Sequence, residues 1–240
     1  MIMPYFKLVI FDLDGTLVDS LAEVVAATNH VRSVFGLSKF TECEVRKMLG
    51  SGQRLVEKAF PEASPAELEQ AQAAYLSYSE VHLLTSIRIY PGVVDTLARL
   101  KRNGVLMAII SNKHSMLSCK LLRHLGIDVY FSAIMGPDSS PFRKPSPEPI
   151  IKLLGDLRVD AHEVVIVGDS MNDILSGKMA GVVTVGCIYG YGNASELAHA
   201  DYRISSLPEL FRVPLFGKFP YQTVEKAEST PYIPLKGVKT

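Results

Sequence analysis

Two aspartates, Asp12 and Asp14, stand two positions apart directly after the apolar, β-branched and aromatic run 5–11. Such a run reads as a buried strand, which puts both acids on the turn at its carboxyl end. Gly15 lets that turn tighten, so that one side-chain carboxylate and one backbone carbonyl can face the same ion. A third acid, Asp169, follows a second apolar run, Val164 to Val167, and Gly168. Aspartates brought together repel one another unless a cation lies among them, and an all-oxygen set suits magnesium. Ser111 and Asn112 close a third apolar run, and Lys144 lies on a segment with prolines at 141, 145, 147 and 149. Phosphoryl transfer needs a nucleophile, a proton donor for the leaving oxygen, and positive or hydrogen-bonding groups around the phosphoryl oxygens. Asp12 can attack as a carboxylate, and Asp14 can protonate the departing oxygen and later activate water. Ser111, Asn112, Lys144 and the amides after Asp12 can hold the phosphoryl group.

Taken singly, each feature is ordinary. Asp-x-Asp is a common turn, Ser-Asn a common helix cap, and a lone lysine usually a surface residue. Their order along the chain gives them weight, because each comes just past an apolar run or on a rigid turn. In an open parallel sheet, ligands bind beyond the carboxyl ends of the strands, where those residues meet.

The elements that must position them follow from periodicity. Strands are expected at 5–11, 105–110, 164–167 and 182–185, and helices at 93–102, 116–125, 148–154 and 173–180. This alternation specifies an α/β fold, a Rossmann-like core with a mostly parallel sheet and right-handed crossovers. Between the first strand and about residue 89 the period is helical: Leu21, Val24, Thr28 and Val31, then Val45, Leu49, Val56 and Ala59, then Leu68, Ala71 and Tyr75. That stretch is too long for a loop and reads as an inserted all-helical unit. The expected organisation is a core from 1–17 and 90–210, a helical cap from 18–89 with hinges near Asp19 and at 89–92, and an irregular proline-rich tail from 211–240.

The 25 basic residues balance the 25 acidic ones without a long run of either, so no steering field for nucleic acid or an anionic membrane is expected. An anionic substrate must then be held by a local site. Cys43, Cys119 and Cys187 are too few and too scattered for a disulfide framework or a CxxC metal site, and the six histidines show no paired metal spacing. With no leader and no apolar run near 20 residues in view, a cytoplasmic protein is the default expectation. A monomer and a homodimer fit this surface equally.

The stretch FDLDGTLVDS (Phe11 to Ser20), Ser111 with Asn112, Lys144 within RKPSPEP, and GDSMND (Gly168 to Asp173) together resemble the motifs of the haloacid dehalogenase-like hydrolase superfamily. Within it the chain is similar to the phosphoglycolate phosphatase branch. The resemblance implies that Asp12 is the nucleophile and Asp14 the general acid and base. It further implies that magnesium is held by the Asp12 side chain, the Asp14 carbonyl and Asp169, with Asp173 in support. Ser111 and Lys144 match phosphate-binding positions and Asn112 adjoins them. Thr16 has the form seen in phosphatases and mutases, and Asp14 speaks against a dehalogenase.

The same resemblance points to a small phosphate ester, 2-phosphoglycolate first, with the cap reading the leaving group. Residues 50–54 occupy the place from which relatives send a loop to the site. Arg54 there either reads a substrate carboxylate or sugar hydroxyl, or is a solvated helix residue. Alternatives for the activity are a β-phosphoglucomutase-like reaction and a broad-range sugar-phosphate, pyrophosphate or nucleotide phosphatase. A non-catalytic binding protein has no need of an acid two residues from a nucleophile.

Overall fold

The central strand β1 (Leu8–Phe11) is buried at every position and pairs in parallel with β4 (Leu106–Ile110) on one side and β6 (Val164–Gly168) on the other. The computed structural model describes residues 6–49 and 54–214. The sheet extends through β5 (Ala133–Met135) at one edge and β7 (Val183–Cys187) and β8 (Tyr202–Ile204) at the other, in the order β5-β4-β1-β6-β7-β8, all parallel. Strands in such a sheet are buried on both faces, which is why they read as continuous apolar runs rather than alternating ones. Val9, Phe11, Met107 and Ile109 face one core with Leu97 and Leu100 of α5 (Val93–Arg102) and Leu117 and Leu121 of α6 (Ser115–His124). Leu8, Ile10, Ala108 and Ile110 face the other with Ile150 and Leu153 of α7 (Glu148–Leu157). Each fully buried Leu or Ile contributes about 1.5–3 kcal/mol, so these two layers hold the sheet rigid.

Register sets the site. Phe11 lies opposite both Ile109 and Val167, so the three strands run out almost level. The residues that come next, Asp12, Ser111 and Asp169, therefore emerge side by side. Asp12 N–H still donates to Val167 O at 2.9 Å, and Ser111 N–H to Met135 O at 3.0 Å, so both backbones are pinned by the ladder.

Between β1 and α5 the chain leaves the sheet. A short antiparallel ribbon of β2 (Val18–Asp19) and β3 (Arg88–Ile89) brackets α1 (Leu21–Val34), α2 (Glu42–Met48), α3 (Leu55–Ala59) and α4 (Pro65–His82). This ribbon falls where the sequence reading expects hinges but no strand, and two residues are too short to show a period. The helices start where their caps dictate: Thr41 and Glu44, and Ser64 and Glu67 with Pro65, form reciprocal capping boxes. Val31, Val56, Ala59, Phe60 and Ala71 give this segment its own small core.

After β6, α8 (Met171–Ala180) begins two residues earlier than the periodicity predicts, because Ser170 and Asp173 make a capping box of their own. The packed chain also continues beyond Leu210. A 3-10 helix spans Leu207–Arg212, and Val213 is buried, so the expected irregular tail does not begin at 211. Residues 215–240 lie outside the described residues.

Candidate active site

Asp12, Asp169 and Asp173 each offer a carboxylate oxygen, and these oxygens lie within 4.8 Å of one another. Lys144 closes the group. It is 1% exposed, and its Nζ donates to Asp173 Oδ1 at 2.5 Å and stands 3.0 Å from Asp12 Oδ1. The second approach is an ion pair without hydrogen-bond alignment, and Asp12 Oδ1 remains buried with no hydrogen bond.

The other acids are held by neighbours. Asp173 Oδ2 accepts from Ser170 N–H at 3.0 Å and Ser170 Oγ at 2.7 Å, so both Asp173 oxygens are occupied. Gly168 leaves room for this carboxyl, since a Cβ there would meet Asp173 Cγ at 2.1 Å. Asp169 accepts from Thr16 Oγ1 at 3.2 Å and from Tyr191 N–H at 2.6 Å. Gly15 has φ +84°, and a side chain there would strike Asp169 Oδ2 at 2.3 Å, so the turn accepts only glycine on both counts.

The electrostatics are those of crowded acids. Burial pushes the Asp12 carboxyl up to about 6; Lys144 pulls it down, while Asp173 and Asp14 push it further up. Burial, then Asp12 and Asp173, hold the Asp169 carboxyl well above the usual carboxylate range. Burial works against the Lys144 ammonium, but Asp12 and Asp173 outweigh it and keep its pKa above the ordinary lysine value. A hard divalent cation fits this donor set: it would take up the orphaned Asp12 oxygen and relieve the repulsion between Asp12 and Asp169.

Asp14 points elsewhere. Both its oxygens lie 3.1 Å from Lys113 Nζ, and Oδ1 accepts from Ser20 Oγ at 2.5 Å. Lys113 in turn lies 3.7 Å from Glu23 of α1. Sequence reasoning missed Lys113 and Glu23. Lys113 had a signal, as it directly follows Ser111 and Asn112; Glu23 had only its place among the apolar residues of α1.

Asp12, Asp14, Lys113, Lys144 and Asp169 line a cavity of about 360 Å³ between the sheet ends and the helical segment. Ser111, Asn112, Lys113, His114 and Arg143 come from the sheet side, and Val24, Arg54, Leu55, Tyr75 and Ser79 from the helices. The volume is at the low end for small-molecule sites. Asn112 lines the cavity, but its Nδ2 donates to Lys144 O at 2.9 Å, so the amide holds the lysine's turn in place. Arg54 is largely exposed, with Nε 3.5 Å from Glu57 Oε1. The preceding residues, Gly50 to Gln53, lie outside the described residues. His114 stands at the N-cap position of α6, with Nδ1 3.3 Å from Asp138 Oδ2.

Tyr191 ties the site to the ribbon. Its N–H serves Asp169, while its hydroxyl accepts from Ser20 N–H at 2.6 Å and donates to Asp19 Oδ1 at 3.2 Å. Arg46 of α2 donates to Gly190 O at 2.7 Å, clamping the helical segment to the same loop.

The family model described as haloacid dehalogenase-like hydrolase matches residues 9–187. A phosphoglycolate phosphatase of Neisseria meningitidis is 37% identical over 220 residues, 87% of this chain and 94% of the relative. Phosphoglycolate phosphatase 1 of Pseudomonas aeruginosa is 38% identical over 208 residues, 81% of this chain and 76% of the relative. A crystal structure from Haemophilus somnus, described as that of a predicted phosphoglycolate phosphatase, superposes with a TM-score of 0.80 at 32% identity, covering 88% of this chain and 99% of that one.

Proposed function

Because the chain belongs to the haloacid dehalogenase-like hydrolase family, we propose that it is a magnesium-dependent phosphoric monoester hydrolase acting on a small phosphate ester, 2-phosphoglycolate first, through an aspartyl-phosphate intermediate. The observation that carries this reading is Lys144, buried between Asp12 and Asp173 with Asp169 beside them, at the floor of a small cavity. A buried lysine among three acids is costly unless an anion and a cation are to be handled there.

Asp12 Oδ attacks phosphorus, the bond to the leaving oxygen breaks, and Asp14 gives that oxygen its proton. Water then attacks the phosphoryl group, loses a proton to Asp14, and the bond to Asp12 breaks to release inorganic phosphate. Lys144 and Ser111 neutralise and orient phosphoryl oxygens, with Asn112 steadying the turn. Asp12, the Asp14 carbonyl and Asp169 would hold magnesium, with Asp173 anchoring Lys144 behind them. When bound, the ion would draw charge from a phosphoryl oxygen. Thr16 and Gly168 keep the acids in place.

In this reading residues 1–17 and 90–210 form the core and 18–89 a cap that excludes water on closing, with the packed chain continuing to Val213. No helix among the described residues is long and apolar enough to cross a membrane, and a cytoplasmic enzyme fits that finding. Asp12→Asn and Asp14→Asn should each abolish steady-state, magnesium-dependent phosphate release from an aryl phosphate while leaving the fold intact; full turnover in either refutes the mechanism. A panel of monoesters compared by kcat/KM tests the substrate, and a flat profile would leave a broad-range phosphatase.

A further inference from the structure

Lys113 and Glu23 have no part in the reading above, yet together they connect Asp14 to the helical segment. The Glu23 side chain is 1% exposed, and neither of its oxygens has a hydrogen bond among the described residues. A buried carboxylate in that condition is destabilising, and the cation facing it is Lys113 at 3.7 Å. From α4, Tyr75 and Ser79 close the same space, with the Ser79 hydroxyl facing both Glu23 and Tyr75. Glu23 is one helical turn past Ser20, whose hydroxyl holds Asp14 from the other side. The first turn of α1 thus reaches Asp14 twice, directly through Ser20 and indirectly through Glu23 and Lys113.

We propose that Glu23 and Lys113 are a positioning pair for Asp14: Glu23, carried on the helical segment, fixes Lys113, and the Lys113 ammonium fixes the Asp14 carboxyl at the cavity edge. Glu23 acts on Asp14 through Lys113, and Lys113 acts on the reaction only through the Asp14 carboxyl that it holds. The consequence is that the acid is aligned only when α1 is seated on the sheet ends, so proton donation to the leaving oxygen depends on the position of the helical segment. This rests on the phosphatase reading, with Asp14 as the acid.

The pairing is tested with aryl phosphates of one shape and different leaving-group basicity, from 4-nitrophenyl to unsubstituted phenyl phosphate, at saturating magnesium. The ratio kcat/KM reports cleavage of the ester bond, and a good leaving group needs little protonation while a poor one needs much. Glu23→Gln keeps the side-chain shape and removes the charge. It should lose about 30-fold on phenyl phosphate and at most about threefold on 4-nitrophenyl phosphate, a steeper dependence on leaving-group basicity, because a positioned general acid contributes about 10²–10⁴-fold. Lys113→Met should steepen the same dependence and serves if Glu23→Gln does not fold. Equal losses across the series would show a merely structural role and overturn the pairing alone. A wild-type enzyme that hydrolyses neither these esters nor 2-phosphoglycolate would overturn the phosphatase reading, and the pairing with it.

Discussion

Two lysines line the cavity, each set between two acids, and they are built differently. The Lys144 cluster lies within the sheet-bearing part of the molecule, with contacts of 2.5 and 3.0 Å and almost no exposure. The Lys113 cluster spans two parts, with Asp14 and Lys113 from the sheet ends and Glu23 from α1, at 3.1 and 3.7 Å. In the first, the strand ladder pins Asp12, Ser170 at the start of α8 holds Asp173, and Asn112 holds the Lys144 turn. The second depends on how one helix is seated. Chemistry common to every phosphate ester belongs in the first setting; steps that should await a correctly bound leaving group belong in the second.

Breaking the rigid cluster should have the largest effect. Lys144→Met leaves Asp12 and Asp173 buried without their cation, which costs about 3–5 kcal/mol of stability and should lower turnover by at least about 10³-fold. Denaturant unfolding and steady-state kinetics measure both; a variant as stable and active as the wild type would show that the lysine is dispensable.

The same cluster predicts a pH dependence for the metal-free protein. The Asp12 pKa of about 6 in the folded state lies above its ordinary 3.8, so the folded protein binds this proton more tightly than the unfolded one. The resulting stability is fully present below pH 3.8 and is lost as pH rises through 6. It amounts to about 3 kcal/mol. Measured as the difference in unfolding free energy between wild type and Asp12→Asn, the decline should appear without metal and vanish at saturating magnesium. A pH-independent difference would mean that the acids are not crowded as described.

The helical side of the cavity should respond through recognition instead. Arg54 is exposed and its ion pair with Glu57 is loose, so Arg54→Ala should leave stability within about 0.5 kcal/mol. If Arg54 reads a substrate carboxylate, the variant should raise KM for 2-phosphoglycolate about tenfold and change phenyl phosphate by less than about twofold. Equal changes for both esters would return Arg54 to the solvated surface.

How much of this the sequence discloses follows the same division. Asp12, Ser111 and Asp169 can be placed because apolar runs mark the strands and a parallel register brings their ends level. Lys144 can be placed because its prolines stiffen the turn. Asn112 shows the limit: its position beside Ser111 is legible, but the bond of its amide to Lys144 O depends on a residue 32 positions away. Strands β5 and β8, three residues each, are too short to carry a period. The Glu23 to Lys113 contact is invisible for a deeper reason, since it is created by packing a helix against a sheet end and neither residue's neighbours announce it. Even the end of the packed chain misleads, because the prolines after Leu210 suggest an irregular tail while Phe211 packs on the core and Val213 is buried.

Tyr191 joins the two settings and gives the smallest and most discriminating effect. Its backbone N–H holds Asp169 in the rigid cluster, while its hydroxyl holds Ser20 and Asp19, where the chain enters the helical segment. Tyr191→Phe keeps the first bond and removes the second. The rigid cluster should then be unchanged, so magnesium affinity measured by calorimetry should stay within about twofold. Loss of the hydroxyl leaves the Ser20 N–H without its partner, which costs about 1 kcal/mol. Because Ser20 also holds Asp14, turnover should fall about three- to tenfold, through kcat more than KM. A fall in magnesium affinity with turnover intact would invert this assignment and place the tyrosine's main work at Asp169 rather than at Ser20.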